Sequence, residues 1–445
     1  MANRDGEHMV LGTIVYTGGQ HQAAWRHPDA QPDSGLSFEF YKTIAQTSER
    51  GKFDFMFSAD QLCVRSLPRN MACRTPFTTF QFDPLTMLSA LSAVTERLGF
   101  IVTMSSTYYS PYQIARHIAG LDLISGGRAG WNLVTSGLRD EALNHGLEAA
   151  PNHDARYEVA HETADVVRGF WKSTDPGVLI GDKETGILFD ESKVHRFQYK
   201  GKFRSADGIL SVPPSRQGRP IIVQAGASGP GRDLAAQIAD VTFSISPDLE
   251  TARAYRTDLR RRAEAAGRDP NSVKSLHNFV PVIAETEEAA RQKLAELDAL
   301  VDIDFALAHL EAALGGVDLT GYPLDGPLPE DVPLTNASRT LFDQARNAAA
   351  KEGLSIRQLA VKLVRGLTSV IACGSANQIA DTMELWFREG AADGFLVSCN
   401  ILPRELDEFV DQVVPILQAR GLFRTEYTSD TLRGHLGLPV PGGVR

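Results

Sequence analysis

Short apolar runs alternate with helical patterns along most of the chain. Val10–Tyr16 (VLGTIVY) reads as a first strand, Phe38–Lys52 as a helix, and Phe53–Ser58 (FDFMFS) as the next strand. Pro84–Arg97 carries Leu85, Leu88, Leu91 and Val94 at helical spacing and leads into a strand at Phe100–Met104. Pro111–Ile124 is a helix stopped by Ser125-Gly126-Gly127, and Ala129–Thr135 a fourth strand, followed by a long helix over Asp154–Trp171. The alternation then continues. Strands are expected at Pro220–Gln224, Val241–Ile245, Leu276–Ala284 and Gly394–Ser398, with helices at Arg232–Ala239, Leu249–Ala266, Glu287–Val301 and Glu405–Ala419.

Eight strands, each followed by a helix, predict parallel strands joined by right-handed crossovers. The fold class expected is α/β, a (β/α)8 TIM-like barrel; an open doubly wound sheet is the alternative. Two stretches break the alternation. Lys172–Arg219, rich in Gly, Pro and short alternating runs, reads as a β-rich insertion. Asp302–Gly366 contains a Pro/Gly run (GYPLDGPLPEDVP) and then shows helical patterns at Thr335–Lys351 and Ser355–Val364. The 445 residues therefore read as one barrel domain over 1–445 with insertions at about 172–219 and 302–366, rather than as three domains.

Composition changes this picture little. Hydrophobic residues are 43% and charged residues 22%, as in ordinary folded domains. A net charge of −10 is a poor start for binding nucleic acid. Cys63, Cys73, Cys373 and Cys399 form no CxxC and read as small buried hydrophobes. The N-terminus shows no basic segment followed by a long apolar one, and no window of about 18 apolar residues occurs. A cytoplasmic protein with no membrane contact is the expectation.

In such a barrel, chemistry sits where the strands end. These ends read Ser58-Ala59-Asp60, Thr103 to Thr107, Asn132 to Ser136, and Gln224-Ala225-Gly226-Ala227-Ser228. Small polar residues with a single carboxylate suit hydrogen bonding to a heteroaromatic cofactor better than hydrolysis. Gly226, Ser228, Gly229 and Gly231 precede a helix, which makes a candidate phosphate cradle. An ordinary glycine-rich turn is the plainer reading of the same residues. There is no GxxxxGK[ST], complete GxGxxG, HExxH or GxSxG. His153 and Tyr157, four residues apart, share one helix face. His21 and His27 flank Ala24-Trp25-Arg26 and read as a packed loop or a substrate contact, not a metal pair. Phe53, Phe55 and Phe57 alternate on the second strand and read as core.

The run ISGGRAGWNLVTS (Ile124–Ser136) resembles the central signature of bacterial luciferase-like flavin monooxygenases. The closer likeness is to the nitrilotriacetate, EDTA and dibenzothiophene sulfone monooxygenase family. AWRHPDA (Ala24–Ala30), ERGKFD (Glu49–Asp54), TYYSPYQIAR (Thr107–Arg116), HDARYE (His153–Glu158), QAGAS (Gln224–Ser228), AADGF (Ala391–Phe395) and FVDQVVPILQARGLFRTEY (Phe409–Tyr427) extend it in order. The resemblance implies reduced FMN (FMNH2) and O2 as co-substrates, and a separate NAD(P)H:flavin reductase. It also implies a small-molecule substrate, a homodimer or homotetramer, and a place in xenobiotic degradation. C–N or C–S cleavage after oxygen insertion is among the outcomes it implies. Carried onto matching positions, the flavin contacts are Asp60, Thr103, Asn132, His153, Tyr157, Ala227 and Ser228. No catalytic residue beyond them, and no metal, is implied.

Two other readings share the barrel: a flavin or deazaflavin hydride-transfer oxidoreductase that uses no O2, and a non-catalytic flavin-binding protein. The sulfone-oxidising members carry a His after strand seven. Here Leu314 stands at that position, with His309 nearby, so that role is not carried over. Arg65, Arg69 and Arg74 make the loop Leu62–Gln81 basic. That loop is either part of a substrate mouth favouring an anionic or polar substrate, or a solvated surface.

Overall fold

Every one of the eight apolar runs becomes a parallel strand, and together they close a barrel. The computed structural model describes residues 7–76, 80–226, 228–244, 246–329, 339–367 and 369–441. Strands β1 to β8 are Val10–Val15, Phe55–Ser58, Gly99–Ser105, Ala129–Val134, Ile221–Gln224, Val241–Ser244, Lys274–Ile283 and Gly394–Val397. They pair in the order β6-β5-β4-β3-β2-β1-β8-β7, and β7 pairs back onto β6. The chain is a (β/α)8 barrel; the open sheet is excluded by that last pairing.

Side chains two apart on a strand share a face. Ile14, Phe55, Phe57, Ile101, Val223, Phe243 and Leu396 come from six of the strands and pack into one cluster, the barrel interior. Gly12 is forced by this filling, because a Cβ there would stand 2.3 Å from the Phe55 ring and 2.9 Å from Leu396. Phe53 is core as expected, but it does not share the face of Phe55 and Phe57. It lies before β2 begins and turns away from the interior, packing edge-on against Phe409 and Phe423 in the helical layer. Only Cys399 of the four cysteines is fully buried, and Cys73 is exposed, so the reading of all four as buried hydrophobes is corrected.

Helix ends follow local chemistry. Pro111–Ile124 starts in a capping box, with Ser110 and Gln113 satisfying each other's backbone. The helix expected over 84–97 stops at Ser92. Beyond it, Glu49 accepts the N–H groups of Glu96, Arg97 and Leu98, while buried Arg128 donates to the carbonyls of Ser92, Thr95 and Leu98. Side chains thus replace the helical ladder. The helix expected over 405–419 divides into Arg404–Gln412 and Val414–Ala419, because Pro415 has no N–H to continue it.

The segment 172–219 holds two antiparallel hairpins, Leu179–Asp182 with Ile187–Phe189 and Phe197–Lys200 with Ser205–Gly208. The later excursion holds helices Ile303–Ala313, Arg339–Glu352 and Ile356–Gly366. Part of the expected helix at 335–351 lies outside the described residues. A strand at Val370–Gly374 and a helix at Ala376–Arg388 follow. That strand pairs with Phe279–Ile283, extending along β7 where β6 has ended. Among the described residues, no helix is long and apolar enough to cross a membrane.

The end of the barrel where the strands begin is plugged. Leu432, Leu436 and Leu438 join the interior cluster. Asp240, just before β6, accepts two bonds from Arg219 (2.7 and 2.9 Å) and one from the Ile222 N–H (2.9 Å), with Arg433 at 3.4 Å.

Candidate active site

Thr103 and Asn132 are register partners on β3 and β4, and both side chains enter the barrel at its open end. The Thr103 hydroxyl donates to the Ser58 carbonyl at 2.8 Å and accepts from Asn132 Nδ2 at 3.0 Å. This orients the amide and leaves Asn132 Oδ1 buried with no partner. A buried amide oxygen without a donor is costly unless something else supplies one. Asp60 follows two residues after Ser58. Burial, then the nearby Asp83 carboxylate, pushes its carboxyl up to about 6. Gln81 is its side-chain partner, at 3.4 Å.

A second group forms over β4 and β5. The rings of His153 and Tyr157 meet at 4.9 Å on the first turn of the helix His153–Trp171. His153 Nδ1 lies 2.9 Å from Asp154 Oδ1. The neighbouring Arg156 donates to the Ser136 carbonyl at 2.7 Å, which ties that turn to the end of β4. Ser228 caps the helix Gly229–Ile238, its hydroxyl accepting the Gly231 N–H at 3.2 Å. The helix starts earlier than expected because Pro230 fits its first turn. Glycine is required in the turn. A Cβ on Gly226 would stand 2.6 Å from Gln224 Nε2 and 2.9 Å from both Gly231 Cα and the Tyr157 hydroxyl. The result is a tight backbone cradle at a helix N-terminus, walled by Tyr157. Ala227 lies outside the described residues.

The open end of the barrel therefore carries Asp60, Thr103 and Asn132 in one line and His153, Tyr157 and Ser228 in another. His21 serves the loop instead. Its Nδ1 accepts the Ala23 N–H and its Nε2 faces Asp298 at 3.2 Å. Arg69 and Arg74 are not free at a mouth either: Arg69 binds Glu311 at 2.7 Å, and Arg74 lies 3.5 Å from Asp302. Among the described residues no cluster of three or more His, Cys, Asp or Glu could hold a metal.

Sequence reading missed Asn278, Ser398 and Asn400. Asn278 donates to Ser369 at 2.7 Å and accepts from Ser398. Its signal was available, as an amide within the otherwise largely apolar strand run SLHNFVPV. Asn400, fully buried beyond β8, leaves both amide atoms unpartnered. Glu405 holds this turn by accepting the Asn400 and Ile401 N–H groups at 2.7 and 3.2 Å. Burial pushes the Glu405 carboxyl up to about 7, with the two N–H groups pulling the other way. Because the folded value is raised, its stabilising contribution is complete below the ordinary Glu range and is lost as pH rises through about 7. Glu405→Gln keeps the acceptor without the charge. Wild-type Tm should therefore fall as pH rises from about 4.5 to 7 and level off above that, while that of the variant stays flatter; parallel thermal melts check this.

The luciferase-like monooxygenase family description matches residues 20–393. N-acetyl-S-(2-succino)cysteine monooxygenase of Bacillus subtilis (strain 168) is 42% identical over 432 residues, 97% of either chain. Nitrilotriacetate monooxygenase component A of Aminobacter aminovorans is 39% identical, again over 97% of both. Among solved structures, a riboflavin lyase with modified FMN and its substrate riboflavin superposes with a TM-score of 0.87. It is 30% identical, over 98% of this chain and 97% of that one.

Proposed function

Because the chain belongs to the luciferase-like monooxygenase family, we propose that it is the oxygenase component of a two-component system. It is a flavin-dependent monooxygenase that uses reduced FMN and O2 to insert one oxygen atom into a small organic substrate, with C–N or C–S cleavage as an outcome. A separate NAD(P)H:flavin reductase supplies the reduced flavin; the nitrilotriacetate relative is itself named as one component of such an enzyme. The whole chain acts as one barrel unit in the cytoplasm, as a homodimer or homotetramer.

One observation carries the flavin assignment: Asn132 Oδ1 is buried, oriented and unpartnered at the same end of the barrel as the Ser228 cradle. The residues fit the cofactor. Asn132 offers an acceptor to a ring N–H, and Thr103 fixes that amide's orientation. Asp60 borders the ring site. The Ser228 hydroxyl and the positive end of its helix receive the phosphate; Pro230 has no N–H and the Gly231 N–H already goes to Ser228, which leaves Gly229 as the first-turn amide that can turn to it. His153 and Tyr157 close the phosphate side. When bound, reduced flavin supplies two electrons and activates O2. The protein binds, orients and excludes water, so no nucleophile–base triad is needed.

Gly226→Ala should weaken FMN binding by at least about tenfold, because the added methyl must displace Tyr157 or the Gly231 backbone. Flavin fluorescence quenching reads this directly. The function itself is tested with purified full-length protein, NAD(P)H, a generic flavin reductase and FMN. Aminopolycarboxylates, sulfones, thioethers and N-heterocycles are screened for oxygen-dependent product. No binding of FMNH2 even at millimolar concentration contradicts the reading. Turnover that persists without O2 moves the protein to the hydride-transfer alternative.

A further inference from the structure

Arg65 differs from the other arginines of its loop. Arg69 and Arg74 pair with carboxylates of the excursion between β7 and β8. Arg65 is half-buried, and among the described residues no acceptor lies within hydrogen-bond distance of its guanidinium. Its surroundings are fixed from two sides. The helix Arg139–Asn144, after β4, holds the Arg65 loop through Asp140, which accepts the Ser66 N–H at 2.8 Å, and through Glu141, which accepts the Leu62 N–H at 3.3 Å. Asp140 thus acts on Arg65 through space while its hydrogen bond goes to the backbone. From the other side comes the buried helix Ile303–Ala313, which carries His309 and packs its Phe305, Leu307 and Leu310 in one cluster with Leu67 of the Arg65 loop.

His309 is a neutral wall. Burial, with the Arg65 charge added, pushes it down to about 3. Its Nε2 lies 3.1 Å from Gln22 Nε2, so the imidazole accepts and the amide donates. That arrangement leaves Gln22 Oε1 buried and unpartnered. Gln22 follows β1, Arg65 follows β2, and His309 belongs to the excursion. All three segments therefore leave the same end of the barrel, the open end that carries Asp60, Thr103 and Asn132, where Gln22 meets His309. A partly desolvated guanidinium with unused donors is unfavourable alone and strongly favours a planar oxyanion.

We propose that Arg65 is the anchor for a carboxylate on the oxygenated substrate, with Gln22 and His309 as its uncharged polar wall. The substrate class is a small organic acid anchored by its carboxylate, and any N–H or O–H that it carries beside that group would find the Gln22 Oε1 acceptor. This rests on the oxygenase reading, because it names what that mouth takes. It also separates the three arginines: Arg69 and Arg74 fasten the excursion over the mouth, and Arg65 recognises the ligand.

The test uses full-length protein loaded with reduced FMN under anaerobic conditions. It is titrated calorimetrically with succinate, and with succinamide as the neutral counterpart. Wild type should bind succinate and not succinamide. R65Q should weaken succinate at least about tenfold while leaving Tm and FMNH2 affinity unchanged. R65K should lose less, because it keeps the charge but not the fork. R69Q should lower Tm without altering succinate affinity. Equal succinate affinity in R65Q, or succinamide binding as well as succinate, overturns the proposal. So does wild-type protein that binds FMNH2 but no succinate. A failure to bind FMNH2 at all counts against the oxygenase reading instead, and the same titration of flavin-free protein then judges Arg65 alone.

Discussion

Asp240→Ala is expected to lower the unfolding free energy by about 3–5 kcal/mol, the usual cost of removing one partner from a buried ionic cluster. Asp240 accepts both Arg219 nitrogens and the Ile222 N–H, and Arg433 stands against it. The Arg433 side chain is 2% exposed, so its charge cannot turn to water when the carboxylate goes. Arg219 and Arg433 hold the Asp240 carboxyl well below the ordinary carboxylate range against its burial. With the folded value depressed, its stabilisation is complete above the unfolded carboxylate range and is lost only as pH falls below it. The gap between wild type and variant should therefore stay constant from pH 5 to 8. The Glu405 contribution, by contrast, changes inside that window. Urea denaturation at pH 5, 6.5 and 8 checks both claims; a shift under about 1 kcal/mol would mean that water replaces the carboxylate. The cluster lies at the plugged end of the barrel, so FMN affinity of the folded variant should be unchanged at low temperature.

The barrel strands were legible because each is buried on both faces and so appears as a short, nearly continuous apolar run. Ile303–Ala313 escaped for a related reason. Phe305, Ala306, Leu307, Ala308 and Leu310 are all buried, so the helix is apolar all round and shows no 3.6-residue stripe. The strand Val370–Gly374 escaped because it lies outside the closed set and borrows only the far half of β7. At the site, the strand ends named Thr103 and Asn132. No pattern in the chain reveals that their mutual bond leaves one amide oxygen orphaned. Partners far apart in sequence were least legible. Glu311 neutralises Arg69 across 242 residues, and without that pairing three arginines in one loop look equivalent. The motif resemblance offers what periodicity cannot, a proposed role for polar residues whose partner is not another side chain.

Ser228→Asp is expected to weaken FMN binding by about 100-fold while leaving the fold intact, a combination that makes it the sharper probe of the cradle. Ser228 caps its helix by accepting the Gly231 N–H, and Asp is an equally good cap whose charge also suits the helix N-terminus. The free protein should therefore melt no earlier than wild type. The bound state differs, because the carboxylate would face the phosphate across the same few ångströms in which the helix N-terminus should receive it. At about 4 Å and an effective dielectric near 20, each pair of like unit charges costs up to about 4 kcal/mol, and solvent at the mouth reduces that. Riboflavin lacks the phosphate and provides the internal control. Its affinity should be the same for wild type and variant, whereas FMN should discriminate strongly between them. Ser228→Ala, which removes the cap without adding charge, should lower stability by about 1 kcal/mol and affect FMN far less than the Asp variant. If Ser228→Asp bound FMN as tightly as wild type, the phosphate would have to sit elsewhere, and the Gly226 turn would be left as a packing device for Tyr157 alone.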